Sequence, residues 1–458
     1  MARPVSATPA LARARAFSVA LALALGAAAA LGACQHKIIM YGEINEHAAG
    51  KVLSATVALR GLAPLRPIHF ALVSPDALKA EVRTELADEE RRGTFDRAQK
   101  AFPLIGLIHP DVDVRSVFER LYSGETLGYY DSEREVMRLV PRDVMRTEVV
   151  EIISAVRGRD HIYGEALAHE LTHALVDQHH DLDAFLGEGK ARTSDAIFAL
   201  RALAEGDASL VGHRYGGLVF SDVRKLVKYI KRRLPAMYET KGVPRYYRET
   251  FTFPYLDGLT FVDELHRAAK GWSLVDRAYS DPPVSTEMVL HPEKYLGPVR
   301  DLPRAAALDA AGATLGAGWT AMFDDTLGEL VTREALAPWI PYDEAEAAAA
   351  GWDGDRARVY DDGKGGLVLV WRSLWDGADD ARAFADAENR ALGKRRALAG
   401  ALPGGVFLRG DEVVVVLGRL PVPAVNVAEA LWTAPASAPS PASAPASAPT
   451  PAPAAATP

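Results

Sequence analysis

The stretch "HELTHALVDQHH" runs from His169 to His180 and contains the pattern His-Glu-x-x-His. At 100° per residue, His169, His173 and Asp177 share one stripe of a helix, Glu170 stands beside it, and Leu167, Leu171, Ala174 and Leu175 fall opposite. Such a helix buries an apolar face and aims two imidazoles the other way. Histidines one turn apart can bind the same ion, and the adjacent glutamate can reach a water on that ion without ligating it. The plainer alternative is a surface helix that happens to carry two histidines. A tetrahedral zinc needs a third protein ligand as well, so the metal site stands or falls with that residue.

Within the stretch the candidates are Asp177 and His179. A histidine ten residues after the first has the metzincin spacing, which requires a glycine where the helix breaks and the chain turns back to the metal. Val176 occupies that position, and a β-branched residue suits a sharp left-handed turn poorly. His179 is therefore expected off the metal. Further along, "ALRALAEGDASLV", Ala199 to Val211, places Glu205 among Leu203, Ala204 and Ala208. A carboxylate there is costly unless a cation or hydrogen bonds compensate it. The intervening "DLDAFLGEGKARTS", Asp181 to Ser194, is long enough for this second helix to return beside the first. Against the ligand reading, Glu205 could cap or ion-pair at a helix bend near Gly206.

The chain has 458 residues, 49% hydrophobic and 24% charged, with room for two or three domains and a sizeable core. A net charge of −8 supplies no broad basic field, so nucleic-acid binding is set aside. Residues 1–33 read as a signal peptide: Arg3, Arg13 and Arg15, then the apolar "AFSVALALALGAAAA" (Ala16 to Ala30), then "LGAC" (Leu31 to Cys34). That ending resembles a bacterial lipobox, with Cys34 as the lipidated first residue of the mature chain. By resemblance to known lipoprotein sorting rules, Gln35 in place of an aspartate favours the outer membrane of the cell envelope over the inner one. Cys34 is the sole cysteine, so no disulfide staples the fold. Residues 433–458 are an Ala/Pro/Ser tail that cannot bury apolar surface.

Helices are expected at about 75–100, 163–177, 195–215 and 222–234. The basic run "RKLVKYIKRRL", Arg224 to Leu234, carries Leu226, Val227, Ile230 and Leu234 at helical spacing and reads as the solvated face of an amphipathic helix rather than a lipid contact. From Gly351 the texture changes to strand, strand, helix, strand, which marks residues 346–432 as a small α+β module after a domain spanning 34–345. Its "GWDGD" reads as a turn that packs a tryptophan.

"HELTHALVDQHH" followed by "ALAEGDASLV" resembles the gluzincin branch of the HExxH zinc metallopeptidases. More narrowly, the chain is similar to a group of bacterial lipoproteins and secreted proteins predicted to be such peptidases, over "GYYDSEREVMRLV" (Gly128 to Val140), the paired helices, "FPYLDGLTFVDEL" (Phe253 to Leu265), "PPVSTEMVLHPEKY" (Pro282 to Tyr295), "GWTAMFDDTLGEL" and "GWDGDR". The resemblance implies an α+β, zincin-like fold: a mainly helical catalytic domain with an active-site helix pair and a small mixed sheet, plus the C-terminal module. It implies Zn2+ held by His169, His173 and Glu205, with Glu170 as general base, and peptide or protein substrates. His291 and Tyr255 are the nearest analogues of the gluzincin oxyanion donors. Ser209 stands where some gluzincins place an aspartate behind a histidine ligand, a role that could pass to Asp177 or Asp207. The strand pair in "GYYDSEREVMRLV" is a candidate for the edge that takes substrate backbone. The rival class is an inactive zincin-fold lipoprotein that binds or scaffolds at the envelope.

Overall fold

A computed structural model describes residues 36–122, 126–141, 160, 163–187, 192–217, 223–239, 242–399 and 402–433. The signal segment, Cys34 and the Ala/Pro/Ser tail after Thr433 lie outside the described residues. The architecture is α+β, with helices around three separate sheets.

The N-terminal part opens with the antiparallel pair β1 (Ile39–Met40) and β2 (Glu43–Ile44). A helix follows at Glu46–Arg60, started by the Asn45 side chain, which accepts from the Ala48 N–H. β3 (His69–Leu72), β4 (Gly128–Asp131) and β5 (Val136–Leu139) form the small mixed sheet in the order β3-β5-β4, with β3 parallel and β4 antiparallel to β5. The expected hairpin is present, and β4 is an outer strand. The helix expected over 75–100 is two helices, Pro75–Arg91 and Thr94–Ile105. Helical periodicity runs through both, but Gly93 between them takes a left-handed φ of 73°.

Three long helices build the centre: a motif helix (Tyr163–His180), a glutamate helix (Ser194–Gly216) and a tyrosine helix (Arg245–Ala269). Leu167, Ala168, Leu171 and Ala174 of the motif helix share a core with Ile38, Val52, Met137 and Leu139, which seats it against the mixed sheet. It is a buried element and not a surface helix. Glutamate and tyrosine helices touch backbone to backbone. A Cβ on Gly206 would lie 2.2 Å from the Gly258 carbonyl oxygen, and one on Gly258 would lie 2.2 Å from the Ala202 oxygen. Gly206 is thus a contact point in a continuous helix rather than a bend. The basic helix, Val223–Glu239, buries Val223 and Val227 and exposes Arg224, Lys225, Lys228, Arg232 and Arg233, the arrangement its pattern predicts.

β6 (Thr320–Asp325), β7 (Trp352–Asp361), β8 (Leu367–Trp375), β9 (Gly404–Arg409) and β10 (Glu412–Gly418) make an antiparallel sheet in the order β6-β7-β8-β10-β9. The helix Ala378–Ala399 covers one face, where Phe384 stacks on Trp375 at 4.6 Å between ring centroids. Val427 and Leu431 of the terminal helix pack with Val368, Val414 and Val416 on the other face. The sheet draws in β6 from before the expected boundary at residue 346, and Trp352, Trp371 and Val413 belong to the same core as Phe253 and Leu330. A pattern of strands and turns locates the module but cannot show that its core continues into the helices. No helix among the described residues is long and apolar enough to cross a membrane.

Candidate metal centre

The motif and glutamate helices bring His169, His173 and Glu205 together. His169 Nε2 lies 3.1 Å from Glu205 Oε2, His173 Nε2 lies 3.3 Å from the same oxygen, and the two Nε2 atoms are 3.2 Å apart. A tetrahedral zinc with bonds of about 2.0 to 2.1 Å holds its ligand atoms about 3.3 Å from one another, so the near-equilateral triangle fits that ion in donor type and spacing. His169 and His173 are 6% and 9% exposed. Burial raises the Glu205 carboxyl, but the two rings outweigh it and hold it well below the usual carboxylate range. Burial disfavours charge on the rings as well. It prevails at His169, whereas at His173 the charge of Glu205 wins and raises the ring to about 9. The three side chains together attract positive charge.

Glu170 is 1% exposed. Its Oε2 accepts from the backbone N–H of Tyr130 on β4 at 3.0 Å, while Oε1 has no hydrogen-bond partner among the described residues. Burial pushes this carboxyl up to about 8, against the pull of the His173 ring and the Tyr130 N–H. One oxygen is thus fixed, and the other is without a partner among the described residues. Reading the sequence missed Tyr130, whose contribution is a backbone group and leaves no side-chain signal.

Tyr255 stacks on His169, with ring centroids 6.1 Å apart and planes at 26°, so the tyrosine helix delivers it to the triangle's edge. His291 is held elsewhere: its Nε2 is 3.0 Å from Glu329 and its Nδ1 3.7 Å from Glu293, and none of its contacts reaches the triangle. His179 is off the metal as expected, with Nε2 2.8 Å from the Ala63 carbonyl oxygen; the helix runs on past Val176 to His180. Neither aspartate stands behind a histidine. Asp177 accepts from Tyr130 Oη at 2.8 Å and from the Leu182 N–H at 2.9 Å. Asp207, fully buried, accepts from Arg60 Nε at 2.8 Å and from Tyr279 Oη at 3.1 Å. Helical position puts Asp207 about 200° from Glu205, on the back of the helix, where Arg60 ties it to the N-terminal helix. The signal for Arg60 was Asp207 itself, an acid in an apolar stretch that requires a cation.

A second group of carboxylates, Glu287, Asp301 and Asp376, also lies within reach of one point. The Lys294 ammonium fills it, at 2.6, 2.8 and 2.9 Å, which leaves His169, His173 and Glu205 as the metal candidate among the described residues.

Residues 307–421 match the profile of a family described as a domain of unknown function, DUF8575. The matched stretch begins well before the boundary read from the sequence and spans all of β6 to β10. No curated protein and no solved structure matches the chain.

Proposed function

We propose that the chain is a zincin-like, zinc-dependent peptidase of the gluzincin kind, lipid-anchored at the bacterial cell envelope through Cys34. The observation that carries the reading is the His169–His173–Glu205 triangle beside a buried Glu170 whose Oε1 has no hydrogen-bond partner among the described residues. Zinc held by the three side chains supplies Lewis acidity toward a water and a substrate carbonyl. Glu170 Oε1 takes the proton of the attacking water and later returns it to the leaving amine. Its other oxygen stays on the Tyr130 N–H, which fixes the carboxylate's direction during the transfer. Tyr255 is the candidate donor to the oxyanion.

An extended peptide suits the neighbouring strand. β4 pairs on one side with β5, the Leu127 carbonyl accepts from Val140 on that side, and Tyr130 N–H faces the other way to Glu170. Gly128 and Tyr130, two apart, therefore turn their backbone groups away from β5, and the outer side of β4 beside Glu170 is the proposed place for a substrate strand.

The test is Glu170→Gln, which keeps shape and leaves the three ligands intact. Zinc content and fold should match wild type, while hydrolysis of unstructured peptides falls by about 10² to 10⁴-fold. Equal rates at equal zinc loading, or no hydrolysis by wild type across a diverse peptide library, would move the assignment to a binding or scaffold protein.

A further inference from the structure

The "GWDGD" segment, which reads as a turn but forms the start of β7 with an irregularity between Trp352 and Gly354, and the domain of unknown function around it have no part in the chemistry above, yet they end on the helix that carries Glu205. Asp355, the last residue of that segment, is 3% exposed and accepts from four N–H groups: Leu327 and Gly328 backbone at 3.1 and 3.0 Å, and the Trp352 and Trp371 indoles at 3.1 and 3.0 Å. The loop it grips, Asp325 to Gly328, lies against the first turn of the glutamate helix. Asp325 accepts from Ser194 N at 2.9 Å and from the Ser194 hydroxyl. Asp195, the next residue of the helix and 1% exposed, accepts from Thr286 N and Oγ1 at 2.8 and 2.6 Å. Thr286 Oγ1 in turn lies 3.2 Å from the Leu330 N–H.

The fit leaves no slack. Gly328 has φ +76°, and a Cβ on it would lie 1.9 Å from Asp195 Oδ1 and 2.8 Å from Thr286 Oγ1. Apart from the Thr286 hydroxyl the acceptors are carboxyl groups, and these eight donors are four backbone amides, two indoles and two hydroxyls, each bond directional. Removing one carboxylate would strand several buried N–H groups at once. A helix held this way at its first turn, and pressed against Gly258 at Gly206, can neither slide along nor rotate about its axis between the two points.

We propose that the C-terminal domain is a brace for the metal site. Asp355 and Asp325 clamp the N-terminus of the glutamate helix and so fix where Glu205 meets His169 and His173. Asp325, Asp355 and Asp195 are positioning residues; none of them contacts the triangle. The consequence for Glu205 rests on its reading as a metal ligand, but the clamp on the helix does not.

The experiment uses the full chain with Asp325→Ala and Asp355→Asn, and with Asp353→Ala as control, since Asp353 belongs to the same stretch of β7 but pairs with the half-exposed Arg304. Ser194→Ala, which removes one bond only, serves if the stronger variants do not fold. Amide exchange of the metal-free protein is read over 194–199, and the zinc dissociation constant by competition with a chromophoric chelator. Exchange over the first helical turns should rise at least about ten-fold in the clamp variants, with zinc bound about 10 to 100-fold more weakly, the usual cost of losing a group that orients a ligand. The control should change neither. Wild-type exchange in the clamp variants overturns the brace, as does zinc affinity equal to wild type in a variant whose helix exchanges faster. A wild type that holds no zinc at all, with the exchange result intact, removes the metal reading and leaves the clamp standing.

Discussion

At the scale of the residue, roles separate by where each side chain is tied. Tyr255 lies against His169, whereas His291 is committed to Glu329 and Glu293. Tyr255→Phe should therefore reduce peptide hydrolysis by roughly 10²-fold, the order found for loss of one oxyanion donor. His291→Ala should stay close to the wild-type rate. Steady-state kinetics on one fluorogenic peptide decide between them, and the opposite pattern would hand the donor role back to His291. The sequence made the triangle legible because His169 and His173 are one turn apart and Glu205 is an acid stranded among apolar residues. It could not rank His291 against Tyr255, since both were offered by likeness of short segments, and nothing local to either fixes its distance from a metal.

At the scale of the element, the site depends on helices that approach more closely than side chains normally permit. Gly206 and Gly258 make that approach possible. Gly258→Ala should destabilise the fold by about 1 to 3 kcal/mol through overpacking and weaken zinc binding with it, because Glu205 precedes Gly206. Thermal unfolding and chelator competition measure the two effects; a variant with wild-type values in both would show that the helices have room to part. Periodicity exposed each helix singly, and alternation exposed the β4–β5 hairpin, because these are local patterns. The packing of one helix on another was not legible: Gly206 read as a possible bend, and Asp207 as a possible partner of a histidine, because Gly258 and Arg60 lie far away in the chain. The break at Gly93 was hidden for the converse reason, as the apolar period continues across it.

At the scale of the molecule, one core runs from the helices into the C-terminal sheet, so the expected division at residue 346 falls inside a single packed unit. Outside that unit, the anchoring claim has its own test. Cys34→Ser should move the protein from the membrane fraction to the soluble fraction, as the lipid on Cys34 is the anchor in this account; a processed mutant that still sediments with membranes contradicts it. The central claim is that two helices of this chain hold one zinc ion through His169, His173 and Glu205, and elemental analysis of the purified protein addresses it directly. One zinc per wild-type chain is expected, the same in Glu170→Gln, and most of it lost in a folded Glu205→Ala. Wild type without zinc, or full zinc in Glu205→Ala with loss in His179→Ala, would contradict it.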